Sequence, residues 1–224
     1  MLTLHHLEHS RSQRVLWLLE ELGLRYEVRR YQRHPKTLLA PPELAQVHPL
    51  GKSPVVTEGD VTVAESGAIV EYLLDTHDPT GALRPAPGTA ARRRFIYWLH
   101  FAEGSAMPPL LMKLVFRKVG TAAPFLVRPL AKAIAAEVDR SFIDPNLRRQ
   151  YDFMQQELAD HGPWFAGRDF SAADIQMSFP VEAAAARGGL DARWPAVMDW
   201  LQRIHARPAY HRALQVGGPY KILD

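Results

Sequence analysis

The chain has 224 residues, 47% of them hydrophobic, a formal net charge of +3 and no cysteine. That length makes one compact body or two small domains, and the lack of cysteine excludes disulfides, thiolate zinc sites and a protein thiol nucleophile. The charge is uneven: residues 1–77 carry eight Lys/Arg against ten Asp/Glu, and residues 78–224 carry nineteen against fourteen, so the two parts stand at −2 and +5.

In the second part Lys113, Arg117, Lys118, Arg128, Lys132, Arg140, Arg148 and Arg149 outnumber Glu137, Asp139 and Asp144. They read either as a solvated helical surface or as a positive cleft wall that attracts anionic ligands. No aromatic interleaving and no helix-turn-helix or zinc signature accompanies them, so no nucleic-acid partner is expected. The start, Met-Leu-Thr-Leu-His-His, lacks a basic n-region and a long apolar h-region, which argues against secretion. Lys113, Arg117 and Lys132 interrupt the longest candidates for a spanning helix. The expectation is a soluble cytoplasmic protein with no membrane partner.

In chain order, Leu2–Leu4, the region around Tyr26–Arg30, Val55–Thr57 and Val61–Val63 read as short strands, alternating with helical patterns at Val15–Leu22 and Ile69–Leu74. Residues 1–77 are therefore expected to form a small α/β domain. Residues 78–89 contain three prolines and two glycines and read as an ordered linker. Residues 90–224 are expected to be all-helical, with helices over Ala90–Leu114, Ala122–Val138, Asn146–His161, Ala172–Arg187 and Ala196–Ala206. His5, His6 and His9 interleave with leucines and have no ligand set of recognised spacing, so no metal is expected.

Several short motifs carry chemistry. Ser10 and Gln13 have the spacing of a capping box ahead of Val15, Leu16, Leu18 and Leu19. The same Ser10 hydroxyl can instead face a ligand thiol, whose thiolate would gain from the positive end of the helix. Ser12 offers a second hydroxyl, but positions i and i+2 do not share a helix face. Pro54 precedes Val55 and Val56, which places it at a strand's first residue or edge, with a cis Ser53–Pro54 bond open to it. Glu65 and Ser66 lie where a strand gives way to a helix, whose first N–H groups can receive an anion. Further on, Ser171 and Asp174 read as a capping box, with Phe170 stapled against Ile175.

Together His9-Ser-Arg-Ser-Gln-Arg-Val-Leu-Trp-Leu-Leu-Glu-Glu-Leu22, His48-Pro-Leu-Gly-Lys-Ser-Pro-Val-Val56 and Glu65-Ser-Gly-Ala-Ile-Val-Glu-Tyr-Leu73 resemble the cytosolic glutathione transferases, above all the fungal-type branch and its bacterial relatives. The resemblance covers the whole chain. It implies a thioredoxin-like α/β first domain ordered β-α-β, α, β-β-α, an all-helical second domain, a homodimer, and reduced glutathione as cosubstrate. On this pattern Glu65 and Ser66 hold the γ-glutamyl end, Ser53 pairs through its backbone with the cysteinyl residue beside cis-Pro54, and Lys52 reaches the glycyl carboxylate. Of the basic loop Arg33, His34 and Lys36, His34 is put forward as a further contact. Ser10 is first choice for activating the sulfur, because it stands four residues before Arg14 as in serine-type members, with Arg11 and Ser12 as alternatives. The capping element at Ser171 and Asp174 is expected to support folding, as it does in the family.

The resemblance further implies an electrophile pocket supplied by the second domain, for which Tyr97, Phe101, Met107, Met112 and Phe116 are the candidates, with ordinary bundle core as the competing reading. Dimer contacts are expected over Val61–Leu74 and Ala90–Lys118, with Arg92, Arg93 and Arg94 facing Glu71 or Asp75 of a second copy. The implied activity is attack of the glutathione thiolate on small apolar electrophiles. Glutathione-dependent peroxide or disulfide reduction, or non-enzymatic glutathione binding, are the alternatives.

Overall fold

The computed structural model describes residues 1–218, 220 and 222. Four strands, β1 (Leu2–Leu7), β2 (Tyr26–Tyr31), β3 (Val55–Glu58) and β4 (Val61–Ala64), form one sheet in the order β2-β1-β3-β4. β1 and β2 are parallel, as the helical crossover between them requires, while β3 pairs antiparallel with β1 and β4 antiparallel with β3. Three helices complete the first part: α1 (Ser12–Glu21), α2 (Leu44–Val47) and α3 (Ser66–His77). The fold is a thioredoxin-like α/β unit followed by an all-helical one.

From Ala90 the chain is helical: α4 (Ala90–Phe101), α5 (Met107–Ala122), α6 (Arg128–Val138), α7 (Asp144–His161), α8 (Ala172–Ala183), α9 (Pro195–His205) and α10 (Pro208–Gly217). Thr89 caps α4 by accepting from the Arg92 N–H. Five-residue π turns at Ala102–Ala106, Asp139–Ile143 and Ala184–Gly188 keep α4–α5, α6–α7 and the end of α8 continuous.

Three boundaries differ from the sequence reading. The helix expected to end at Leu114 runs on to Ala122, and the one expected from Ala122 begins at Arg128. Pro124 causes the break, because the residue before a proline is driven out of the helical region and Ala123 is extended at ψ 143°. The third is α10, which lies beyond the last helix expected, Ala196–Ala206. Tyr220 and Ile222 pack, Tyr220 through its hydroxyl on Glu182 at 2.7 Å and Ile222 as a buried side chain, while Leu223 lies outside the described residues.

The core runs without interruption from the sheet through α1 and α3 into the bundle, and Trp17, Trp98 and Trp200 are buried in it. At the base of the bundle Asp174 accepts from the Ser171 N–H (3.0 Å), the Phe165 N–H (2.9 Å) and Trp200 Nε1 (2.9 Å). The expected cap at Ser171 is thus also a buried tie between three segments.

Candidate active site

The loop before β3, the start of α3 and the first π turn enclose a cleft of about 360 Å³. Its lining includes Arg11, Lys52, Ser53, Pro54, Glu65, Ser66, Glu103 and Leu111. Each comes from a place where regular structure ends. Arg11 is the N-cap residue of α1. Pro54 precedes β3 and its bond to Ser53 is cis. Glu65 is the N-cap of α3 and sits at φ 70°, a left-handed conformation that non-glycine residues adopt rarely and chiefly at functional sites. The first intrahelical bond of α3 that reaches back to Glu65 comes from the Ile69 N–H. The N–H groups of Ser66, Gly67 and Ala68 are therefore open at the helix's positive end.

At the floor of the cleft lies an ionic knot around one buried arginine. Arg14, 1% exposed, donates to the Ser66 hydroxyl at 2.7 Å, to the Gln176 carbonyl at 2.6 Å and to the Glu103 carboxylate. Arg11 Nε donates to both Glu103 oxygens at 2.8 and 2.9 Å, and both guanidiniums stack over Phe179. Burial alone would raise the Glu103 carboxyl, but Arg14 and Arg11 outweigh it and hold it below the usual range. Two cations against one carboxylate leave the floor of the cleft positive.

The sequence candidates separate in this geometry. Ser10 is buried, and its hydroxyl donates to the Leu7 carbonyl at 2.8 Å while also meeting Ser12 Oγ at 2.8 Å. It accepts from the Ser12 N–H at 3.2 Å, not from Gln13 as a capping box would require. Ser12 Oγ lies 2.8 Å from His6 Nδ1, and His6 Nε2 donates to the Gly217 carbonyl at 3.1 Å. Burial pushes the His6 imidazole down to about 4, so it is neutral and relays the hydrogen bonds from α10 to this turn. Both serines thus brace the turn, and Arg11 is the member of the trio that lines the cleft.

Ser53 uses its hydroxyl within the protein, donating to the His5 carbonyl (2.8 Å) and accepting from the Leu7 N–H (3.1 Å). His34 is exposed and away from the cleft lining; its Nδ1 accepts from the Lys36 and Thr37 N–H groups and closes its own loop. Among the pocket candidates, Tyr97 and Phe101 stack on each other and on Phe153, with ring centroids 5.6, 5.8 and 6.2 Å apart. Met107 is buried core, and Met112 and Phe116 pack partly buried against that core. None of these five is among the residues lining the cleft, and α4 turns Leu99 and His100, and the following π turn Glu103, toward α3. Leu111, one residue from Met112, lines the cleft in their place.

Glu103, Gln176 and Arg14 as a unit escaped the sequence reading. Among the described residues no group of three His, Asp or Glu is placed to hold a metal ion.

Residues 1–75 match the family described as "Glutathione S-transferase, N-terminal domain", and residues 132–203 match "Glutathione S-transferase, C-terminal domain". Glutathione S-transferase 1 of Saccharomyces cerevisiae is 34% identical over 218 residues, covering 94% of this chain and 92% of its own. The disulfide-bond oxidoreductase YfcG of Escherichia coli is 30% identical over 181 residues, 77% of this chain and 76% of its own. The crystal structure of a glutathione S-transferase from Actinobacillus pleuropneumoniae superposes with a TM-score of 0.82 at 30% identity, covering 99% of this chain and 95% of that one. With both halves matched by the family and relatives of this identity aligned over nearly its whole length, the chain belongs to the glutathione transferase family of enzymes.

Proposed function

We propose that the cleft binds reduced glutathione and presents its thiolate to small apolar electrophiles. The observation that carries this reading is the arrangement of Glu65 at a left-handed N-cap, the open N–H groups of α3 and the Ser53–Pro54 edge around one cleft. Glu65 accepts from the γ-glutamyl ammonium, and the α3 amides receive the adjacent carboxylate. Ser53, whose hydroxyl is engaged with β1, offers its backbone to the cysteinyl residue, and Lys52 meets the glycyl carboxylate.

The sulfur then lies toward the start of α1, where Arg11 stabilises the thiolate electrostatically and Ser10 and Ser12 hold the turn. The thiolate attacks the electrophilic carbon, the new C–S bond forms, and the leaving group or the conjugated π system takes the electron pair. A pH series of thiolate absorbance in the binary complex tests the assignment. Arg11→Ala should raise the bound thiol's pKa by about 1 unit or more, and Ser10→Ala should leave it in place while lowering stability. The reverse result would return the role to Ser10.

The likeness to YfcG supports a second reading in the same cleft, reduction of a small disulfide by two molecules of glutathione. One glutathione thiolate forms a mixed disulfide and expels one thiol; the second resolves it, giving oxidised glutathione and the other thiol. The chain contributes no cysteine to this sequence. The proposal includes a cytoplasmic setting, where thiols are kept reduced, and a homodimer through α3 and α4. Those helices flank a groove of about 740 Å³ lined in part by Glu71, Arg92, Ile96 and Leu99. Glu71 and Asp75 are already held within the chain by Arg84, at 3.2 and 2.5 Å, so the expected pairing of the Arg92–Arg94 run with those two acids has competition from inside the subunit.

A further inference from the structure

The α5–α6 hairpin carries residues that neither the core nor the cleft uses. From Gly104 to Ala136 the sequence contains no Asp or Glu and five cations, Lys113, Arg117, Lys118, Arg128 and Lys132. Among the described residues only Lys113 has acidic partners, Asp144 at 2.7 Å and Asp139 at 3.7 Å. The turn between the helices points apolar side chains at solvent: Phe125 is 80% exposed and Leu126 87%. On α6, Leu130 and Ile134 stand four apart and are exposed, and on α5 Leu111, Val115 and Val119 form an exposed stripe at the same spacing. Single exposed leucines are ordinary; a Phe-Leu tip continued by apolar stripes and ringed by unpaired cations is not.

We propose that this hairpin tip is a peripheral docking surface for an anionic phospholipid membrane. Phe125 and Leu126 enter the boundary between headgroups and acyl chains while Arg117, Lys118, Arg128 and Lys132 meet lipid phosphates. Charge complementarity selects this occupant over a second copy, since a symmetric meeting of two tips sets Arg128 and Lys132 against their own counterparts, and the tip itself, residues 125–134, lies outside the stretch Ala90–Lys118 expected to meet a second copy. A groove of about 310 Å³ between the helices, with an Ala and Gly floor, has Arg117, Lys132 and Arg187 on its walls. Arg187 Nε and Asp139 Oδ1 are both buried without a partner among the described residues, and Asp139 lines the groove beside the cations, so the lipid phosphates are met by the exposed cations of the tip rather than inside the groove. No helix among the described residues is long and apolar enough to cross a membrane, so the contact lies on the surface; it departs from the sequence expectation of no membrane partner. Leu111 also lines the cleft, so the α5 stripe leads from the membrane toward it. If the glutathione reading holds, electrophiles dissolved in the bilayer are the substrates this path serves.

The test is flotation of the full chain with phosphatidylcholine vesicles and with phosphatidylcholine–phosphatidylglycerol vesicles. The wild type should bind the second kind alone and be released by added salt. Phe125→Ser/Leu126→Ser and Arg128→Glu/Lys132→Glu should each lower the partition coefficient about tenfold or more. Turnover of a soluble electrophile and the unfolding midpoint should stay at the wild-type level in both. Absence of binding to the anionic vesicles, or binding that both double variants retain, overturns the proposal. So does a fall in solution mass of Phe125→Ser/Leu126→Ser without lipid, measured by light scattering, because the patch would then be a contact between copies. Flotation needs no turnover, so failure of the transferase reading would leave this result interpretable.

Discussion

Glu65 is exposed and has no side-chain role in capping α3, so its strained backbone serves the cleft rather than the fold. Glu65→Gln should weaken glutathione binding about tenfold or more in a calorimetric titration, with the unfolding midpoint unchanged. Glu103 should behave in the opposite way. Removing its charge strands the Arg14 guanidinium in the interior, so Glu103→Leu should cost about 3 kcal/mol in urea unfolding, and the double change Arg14→Met/Glu103→Leu should restore part of it. Asp174 supplies a pH signature. Burial pushes its carboxyl up to about 6 from an ordinary value of 3.8, against the donors from Phe165, Trp200 and Ser171. Its raised value means that folding favours the protonated form, a contribution present below about 3.8 and lost as pH rises through about 6. Relative to Asp174→Asn, which cannot titrate, the wild type should therefore lose stability across that window and level off above it. Glu65, Ser66, Ser53 and Pro54 were legible because each motif is contiguous in sequence. Glu103 was not, because its partners Arg14 and Arg11 are 89 and 92 residues away and no local spacing announces them.

At the scale of elements, the strands and most helices follow from apolar periodicity, and the misread boundaries follow from features that periodicity does not register. Pro124 falls inside the helix expected over Ala122–Val138 and delays its start to Arg128, and the π turn at Asp139–Ile143 joins it to the helix expected separately from Asn146. The turn at Ala102–Ala106 brings Glu103 to face Arg11 and Arg14, an instance of a π segment at a functional site. Periodicity could not place Tyr97 and Phe101, because an aromatic stripe on a two-faced helix has the same spacing whether it meets a cleft or a core. α10 carried readable signals, Pro208 at its first turn and Gly217 at its end. Gly217 is also where α10 touches α1: a Cβ there would lie 2.2 Å from Gln13 Oε1 and 3.0 Å from Leu16 Cδ1. Gly217→Ala should thus lower stability by about 1–3 kcal/mol. It should also loosen the β1–α1 turn, since His6 hangs on the same carbonyl; amide exchange at Ser12 and Gln13 would register this.

For the whole molecule, the dimer proposal expects a mass near twice 25.3 kDa in sedimentation at micromolar concentration, and a monomer would remove the α3–α4 interface. The path of the chain has a consequence of its own. α1, made first, is clasped by α10, made last: Arg207 grips Glu21, Arg212 grips Glu20, and Trp17 meets the edge of Tyr210 with centroids 5.2 Å apart. These contacts join residues 186 to 193 positions apart. During synthesis the amino-terminal domain therefore waits, with the Trp17 face of its first helix uncovered, until α10 has left the ribosome. At roughly 5–20 residues per second that interval is on the order of 10–40 seconds, long enough for a chaperone to occupy the face. Stalled chains ending before Pro208 should be captured by a holdase on the ribosome and released when translation reaches Gly217, an order of events that ribosome profiling of chaperone-bound chains would show.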